Sequence, residues 1–143
     1  MLKVKVINKS KNLLPEYKTP GSSGVDLRST EEVTLYRGDS VMVGTGLYLA
    51  IPEGYEAQIR PRSGLAANHG ITVLNTPGTI DADYRGEIKV ILHNTSVIPY
   101  TIEEGERIAQ MVFNKVERVA FEEVNSLDDT ERGDGGFGHS GKM

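Results

Sequence analysis

Arg62 and Ser63 sit in the run Arg-Pro-Arg-Ser-Gly-Leu-Ala of residues 60–66, where a short helix is predicted to begin. A guanidinium, a hydroxyl and the free N–H groups of a helix's first turn form a compact anion site. A capped surface helix with a solvated Arg is the alternative. Asp81 and Asp83 lie in Ile-Asp-Ala-Asp-Tyr-Arg-Gly. In an extended strand residues i and i+2 share a face, and two carboxylates there could ligate a metal or activate a water. The other reading is a turn closed by Gly86, since Asp suits turns. Tyr84 and Phe137 are flanked by Gly or charge rather than by core residues, and each could stack on a sugar or base. Tyr84 reads equally well as a half-buried strand aromatic, whereas Phe137, between Gly136 and Gly138, has no local core.

Those residues belong to five polar, Gly-rich runs: 20–27 (PGSSGVDL), 60–66 (RPRSGLA), 75–87 (NTPGTIDADYRGE), 105–110 (GERIAQ) and 132–141 (RGDGGFGHSG). His69, His93 and His139 are scattered, with no i, i+4 pair on a helix and no zinc-site spacing. Residues 136–142 spell most of a phosphate-binding Walker loop, but Met143 follows where Ser or Thr is needed.

The intervening segments must position these runs. Their apolar residues alternate in short stretches rich in Val, Ile, Tyr and Thr: 2–7, 33–36, 41–43 leading to Gly44, 47–51, 55–60, 71–74, 88–92 and 108–119. No long 3.6-residue repeat occurs. One short helix is predicted over 63–69, with Ser63 as its N-cap and Gly70 as its stop. The fold class is all-β, a sandwich, jelly roll or barrel with one short helix. Residues 1–124 form the β domain. Residues 125–143 carry too little apolar surface to fold alone, and at about 3.4 Å per extended residue the tail reaches roughly 60 Å, enough to cross to another subunit.

The chain has 143 residues, 38% hydrophobic and 25% charged, which fits one soluble domain with a modest core. A net charge of −4 offers no general attraction for nucleic acid or anionic membrane. A polyanionic ligand must therefore be held by a few local cations and backbone donors. The absence of cysteine excludes disulfides and thiolate metal sites. No run approaches the roughly 18 apolar residues of a membrane span, and the N-terminus has no signal-peptide pattern, so a cytoplasmic location is expected.

The five runs, in this order and at these separations, resemble the five motifs of the trimeric dUTP pyrophosphatase (dUTPase) family, from SGVDL (23–27) through PRSGLA (61–66), GTIDADYRGE (78–87) and GERIAQMVF (105–113) to GFGHSG (136–141). The resemblance implies a jelly-roll-like homotrimer that hydrolyses dUTP to dUMP and pyrophosphate with Mg²⁺. It implies sites at subunit interfaces, covered by tails exchanged between subunits. By the same resemblance Asp81 is the catalytic aspartate that activates water against the α-phosphorus. Tyr84 packs under the deoxyribose and excludes a 2′-hydroxyl. Asn75 and the backbone of Gly78, Thr79, Ile80 and Lys89 form the uracil pocket. Arg62, Ser63 and Gly64 bind the phosphate chain with Gln110 nearby, and Asp26 holds Mg²⁺ through water. In the tail, Arg132 reaches the γ-phosphate, Phe137 stacks over uracil, and Gly138, His139 and Ser140 complete the cover. His139 departs from the usual Ser, and Ser140 from the common Thr. The related dCTP deaminases use a glutamate on the strand after the third motif. Ile91 stands there, and this chain has no Trp, which argues against deamination.

Overall fold

Alternation of apolar and polar residues becomes, in the computed structural model of residues 1–143, a set of strands most of which turn alternate side chains to the core. The elements are β1 (Lys5–Asn8), β2 (Val25–Arg28), β3 (Val33–Leu35), β4 (Ser40–Ala50), β5 (Tyr55–Arg60), α1 (Ser63–His69), β6 (Ile71–Val73), β7 (Gly78–Ile80), β8 (Glu87–Asn94), β9 (Tyr100–Ile102) and β10 (Arg107–Lys115). Two four-stranded sheets, ordered β1-β4-β8-β6 and β2-β10-β5-β7, are joined by a two-stranded β3-β9 sheet. Every pairing is antiparallel. Their inner faces share one core, with Leu27, Leu35, Val43, Ile88, Val90, Leu92 and Ile102 fully buried. Each such Leu or Ile contributes about 1.5–3 kcal/mol, so the core rather than the Gly-rich loops holds the fold. No helix is long and apolar enough to cross a membrane.

The structure differs from the sequence reading in three places. Residues 41–43 and 47–51 are not two strands divided at Gly44. Residues 40–50 form one strand, with a register shift against β8 between Gly44 and Tyr48 and Gly46 at φ 71°. A bulge absorbs the glycines without ending the strand. The N-cap of α1 is Arg62, in extended conformation and with no side-chain cap bond, so Ser63 is the first helical residue. Gly70 does stop the helix, at φ 66°, its N–H reaching the carbonyls of Ala66 and Leu65. The last strand ends at Lys115 rather than near Val119. Of the two readings of Asp81 and Asp83, the turn is the one the structure contains: the Tyr84 N–H donates to the Asp81 carbonyl (3.1 Å), so the two carboxylates do not share a strand face.

Candidate functional site

Asp26 is the hub of the first group of polar residues. On β2, Val25 and Leu27 face the core and Asp26 and Arg28 face out. The Asp26 carboxylate is only 10% exposed, yet it pairs with Arg62 Nε (3.5 Å) and Arg107 Nη1 (3.2 Å). Gln110 Nε2 donates to it at 3.5 Å. Arg62 also donates to the Arg107 carbonyl (3.2 Å), which ties the start of α1 to β10. Ser63 and Gly64 follow on the exposed first turn of that helix. Two guanidiniums and an amide thus surround one carboxylate, with Ser63 on the adjoining helix turn, a set suited to the oxygens of a phosphate chain.

Arg107 was missed by sequence reasoning. Arg107 and Gln110 are three residues apart, and in a regular strand odd spacing puts them on opposite faces. A β-bulge between Arg107 and Ala109 buries both Ile108 and Ala109 and turns Arg107 and Gln110 to the same side, against Asp26. Glu106, just before the bulge, accepts from the Tyr100 hydroxyl (3.3 and 3.4 Å), and the Tyr100 ring lies 4.4 Å from that of His69. Burial holds the Glu106 carboxyl above its ordinary range. The Tyr100 hydrogen bond, Arg62 and His69 oppose that shift and Glu103 adds to it. Burial, then the Glu106 charge, likewise raises the Tyr100 phenol.

The second group lies on the β6–β7–β8 region. β7 is the edge strand of its sheet and pairs only with β5, through Gly78↔Ile59 and Ile80↔Ala57. β8 is flanked by β6 only as far as Leu92, with a last bond from Leu74 N–H to the Ile91 carbonyl. The outer edge of β7 and the β8 edge around Lys89 therefore carry polar backbone groups without sheet partners, as a planar hydrogen-bonding ligand needs. The Asn75 side chain packs beside Gly78, its Nδ2 about 3.3 Å from where a Cβ would stand. Asp81 and Thr79 are exposed at the end of this edge, beside a cleft lined by Glu53, Tyr55, Glu56, Arg85 and Arg118. Tyr84 is 43% exposed and anchored by its hydroxyl to the Glu87 carbonyl (2.9 Å). It is neither a core residue nor a strand residue.

Within one protomer these two groups do not meet. β5 carries Arg60 beside Gln110 at one end and Ala57 beside Ile80 at the other, so Asp81 lies level with Glu56. From residue 56 to Arg62 the extended chain covers about 20 Å, and strand side chains stand perpendicular to that axis. The third group, Arg132, Phe137, Gly138, His139 and Ser140, touches neither of the others. Every residue of 116–134 is exposed, and the tail makes only local turns, such as Arg132 Nε to the Gly135 carbonyl (2.7 Å). Phe137 is fully exposed at φ 51°.

An all-β scaffold that gathers cations at one sheet end and an unpaired edge with a carboxylate at the other has the groups that a phosphorylated, planar ligand would need. The family model described as dUTPase matches residues 10–141. A deoxyuridine 5′-triphosphate nucleotidohydrolase of Fusobacterium nucleatum is 58% identical over 143 residues, covering 99% of this chain and 98% of its own. That of Finegoldia magna is 57% identical over 142 residues, covering 98% and 99%. The Staphylococcus bacteriophage 80alpha dUTPase, solved with dUPNHPP, superposes with a TM-score of 0.91 at 27% identity over 99% of this chain and all of that one. The chain belongs to the dUTPase family and is a hydrolase of nucleotide metabolism.

Proposed function

We propose that the chain hydrolyses dUTP to dUMP and pyrophosphate as a cytoplasmic homotrimer, keeping uracil out of DNA and supplying dUMP for thymidylate synthesis. The dUTPase match over residues 10–141, which contains all five motifs, carries this reading. Asp81 accepts a proton from a water aimed at the α-phosphorus. The new O–P bond forms as the α–β bridging oxygen leaves with pyrophosphate. Asn75 and the free backbone groups of Gly78, Thr79, Ile80 and Lys89 read uracil, and a buried polar group left unpaired by cytosine gives selectivity. Tyr84 lies against the deoxyribose where a 2′-hydroxyl would clash. Arg62, Ser63, Gly64 and Gln110, joined by Arg107, hold the triphosphate. Arg132, Phe137, Gly138, His139 and Ser140 close over it, so that water exclusion strengthens these charge interactions.

Mg²⁺ fits this arrangement through Asp26. No group of three or more His, Asp or Glu side chains could hold a metal by itself. One carboxylate is what a cation needs when phosphate oxygens and waters supply its other ligands. When bound, Mg²⁺ neutralises phosphate charge. With Arg62 and Arg107 turned to the phosphates, the Asp26 oxygens would be free to hold the cation through water.

The roughly 20 Å between the Arg62 and Asp81 groups supports assembly of each site from more than one subunit. So does an apolar groove formed by Leu2, Val4, Val6, Leu14, Val25 and Phe113, together with exposed Val116, Val119, Phe121, Val124 and Leu127 on the segment leading to the tail. Unpaired apolar surfaces of this kind mark subunit contacts. The test is Asp81→Asn, with dUTP binding followed by calorimetry and pyrophosphate release by a coupled assay. Binding should persist and turnover fall at least ~100-fold; near-normal turnover would overturn the assignment.

A further inference from the structure

We infer that Gly86 and Glu87 are positioning residues that set the sugar selectivity of the site by fixing the ring of Tyr84. The inference rests on the proposed role of Tyr84 against the sugar. A Cβ built on Gly86 meets the Tyr84 ring, at 2.6 Å from Cζ and 3.0 Å from Cε1, and its hydroxyl oxygen more closely still. Gly86 is not among the residues with positive φ, so its backbone conformation is open to alanine. What glycine supplies here is room. Bringing the 2.6 Å contact out to the 3.4 Å of ordinary contact moves the ring by about 0.8 Å.

The same hydroxyl end of the ring is tied to the start of the next strand. The Tyr84 hydroxyl donates to the Glu87 carbonyl at 2.9 Å. Glu87 itself is held where β4 bulges: its carboxylate accepts from the Gly46 N–H at 3.2 Å, and the space that a Cβ on Gly44 would fill is occupied by Glu87 Oε2. The bulge in β4, the Glu87 carboxylate, the Glu87 carbonyl and the Tyr84 hydroxyl thus form one continuous chain of contacts. A half-exposed tyrosine in a turn would otherwise sample several rotamers. This chain of contacts and the gap at Gly86 leave it one position.

Discrimination against a ribose depends on where that ring stands, because a displacement near 1 Å at a reacting or excluding group is enough to change rates by up to about 10²-fold. Gly86→Ala is therefore expected to lower the ratio of kcat/KM for dUTP to that for UTP at least about tenfold, with trimer size and thermal midpoint close to wild type. Tyr84→Phe, which cuts the bond to the Glu87 carbonyl and leaves the ring its space, should shift the ratio in the same direction. In a Tyr84→Ala background Gly86→Ala should change the ratio no further, because the residue it acts through is gone.

An unchanged dUTP-to-UTP ratio in both single variants, or an equal loss from Gly86→Ala with and without the tyrosine ring, overturns the inference. If Gly86→Ala fails to fold, Tyr84→Phe alone decides it, and an unchanged ratio there is refutation. Wild-type protein that does not hydrolyse dUTP at all instead overturns the functional reading beneath it, so the two failures are distinguishable.

Discussion

Two impaired variants mixed together should regain activity beyond either parent. In one protomer Arg62 and Asp81 lie at opposite ends of β5, about 20 Å apart, with Arg62 turned to Asp26 and Asp81 beside a cleft none of whose lining belongs to the Asp26 group. Asp81→Asn removes the proposed base and should cost at least ~100-fold. Arg62→Ala removes a charge-assisted phosphate contact worth about 1.5–3 kcal/mol, or roughly 10- to 100-fold. When equal amounts of the two variants are unfolded and reassembled, a site is intact only if its Asp81 comes from an Arg62→Ala chain and its Arg62 from an Asp81→Asn neighbour. Random assembly makes about a quarter of the sites intact, while the tail is whole in every chain. Pyrophosphate release from dUTP should therefore rise to about a quarter of wild type, far above either parent. Activity that stays at the mean of the parents, with native mass spectrometry confirming that the two variants share oligomers, would show that one chain supplies both residues and would refute the interface reading.

Deleting residues 131–143 should leave the fold and oligomer intact, because the tail makes only local contacts. It should cut turnover sharply; loss of the circular-dichroism signal or of the oligomer would instead make the tail structural. Glu106 makes stability depend on pH. Its folded carboxyl titrates above the ordinary value of 4.5 because burial disfavours the charge, so the folded state binds the proton more tightly than the unfolded chain. That contribution is full below pH 4.5 and is lost as pH rises through the folded value. Glu106→Gln removes this titration, so relative to wild type it should gain stability as pH rises above 4.5. Urea midpoints that keep a constant difference across that range would contradict this.

Much of the site was legible because its residue types are unusual for their setting. Runs of Gly, Asp and Arg between alternating apolar strands stood out, and Asp26, Arg62 and Gln110 do converge. Period-two burial located most strands, and Gly70 marked the end of α1 correctly. Other features had no local signal. Gly44 read as punctuation but lies within one long strand, since a bulge and the Glu87 side chain accommodate it. The N-cap fell on Arg62 rather than Ser63, because the extended approach of Arg60–Arg62 and the bond from Arg62 to the Arg107 carbonyl determine where the helix starts.

By itself the amino-acid sequence determined an all-β chain with a short helix, a polar and Gly-rich C-terminal tail, and the residue types from which the site is proposed. It could do so because alternation, glycine content and charge are local properties of the chain. Tertiary structure alone decided that Arg107 joins Asp26, since only a bulge reverses the face on which a residue three positions from Gln110 points. It alone also set Asp81 and Arg62 at opposite ends of β5, because strand register is fixed by pairing between distant segments and is written in no single one of them.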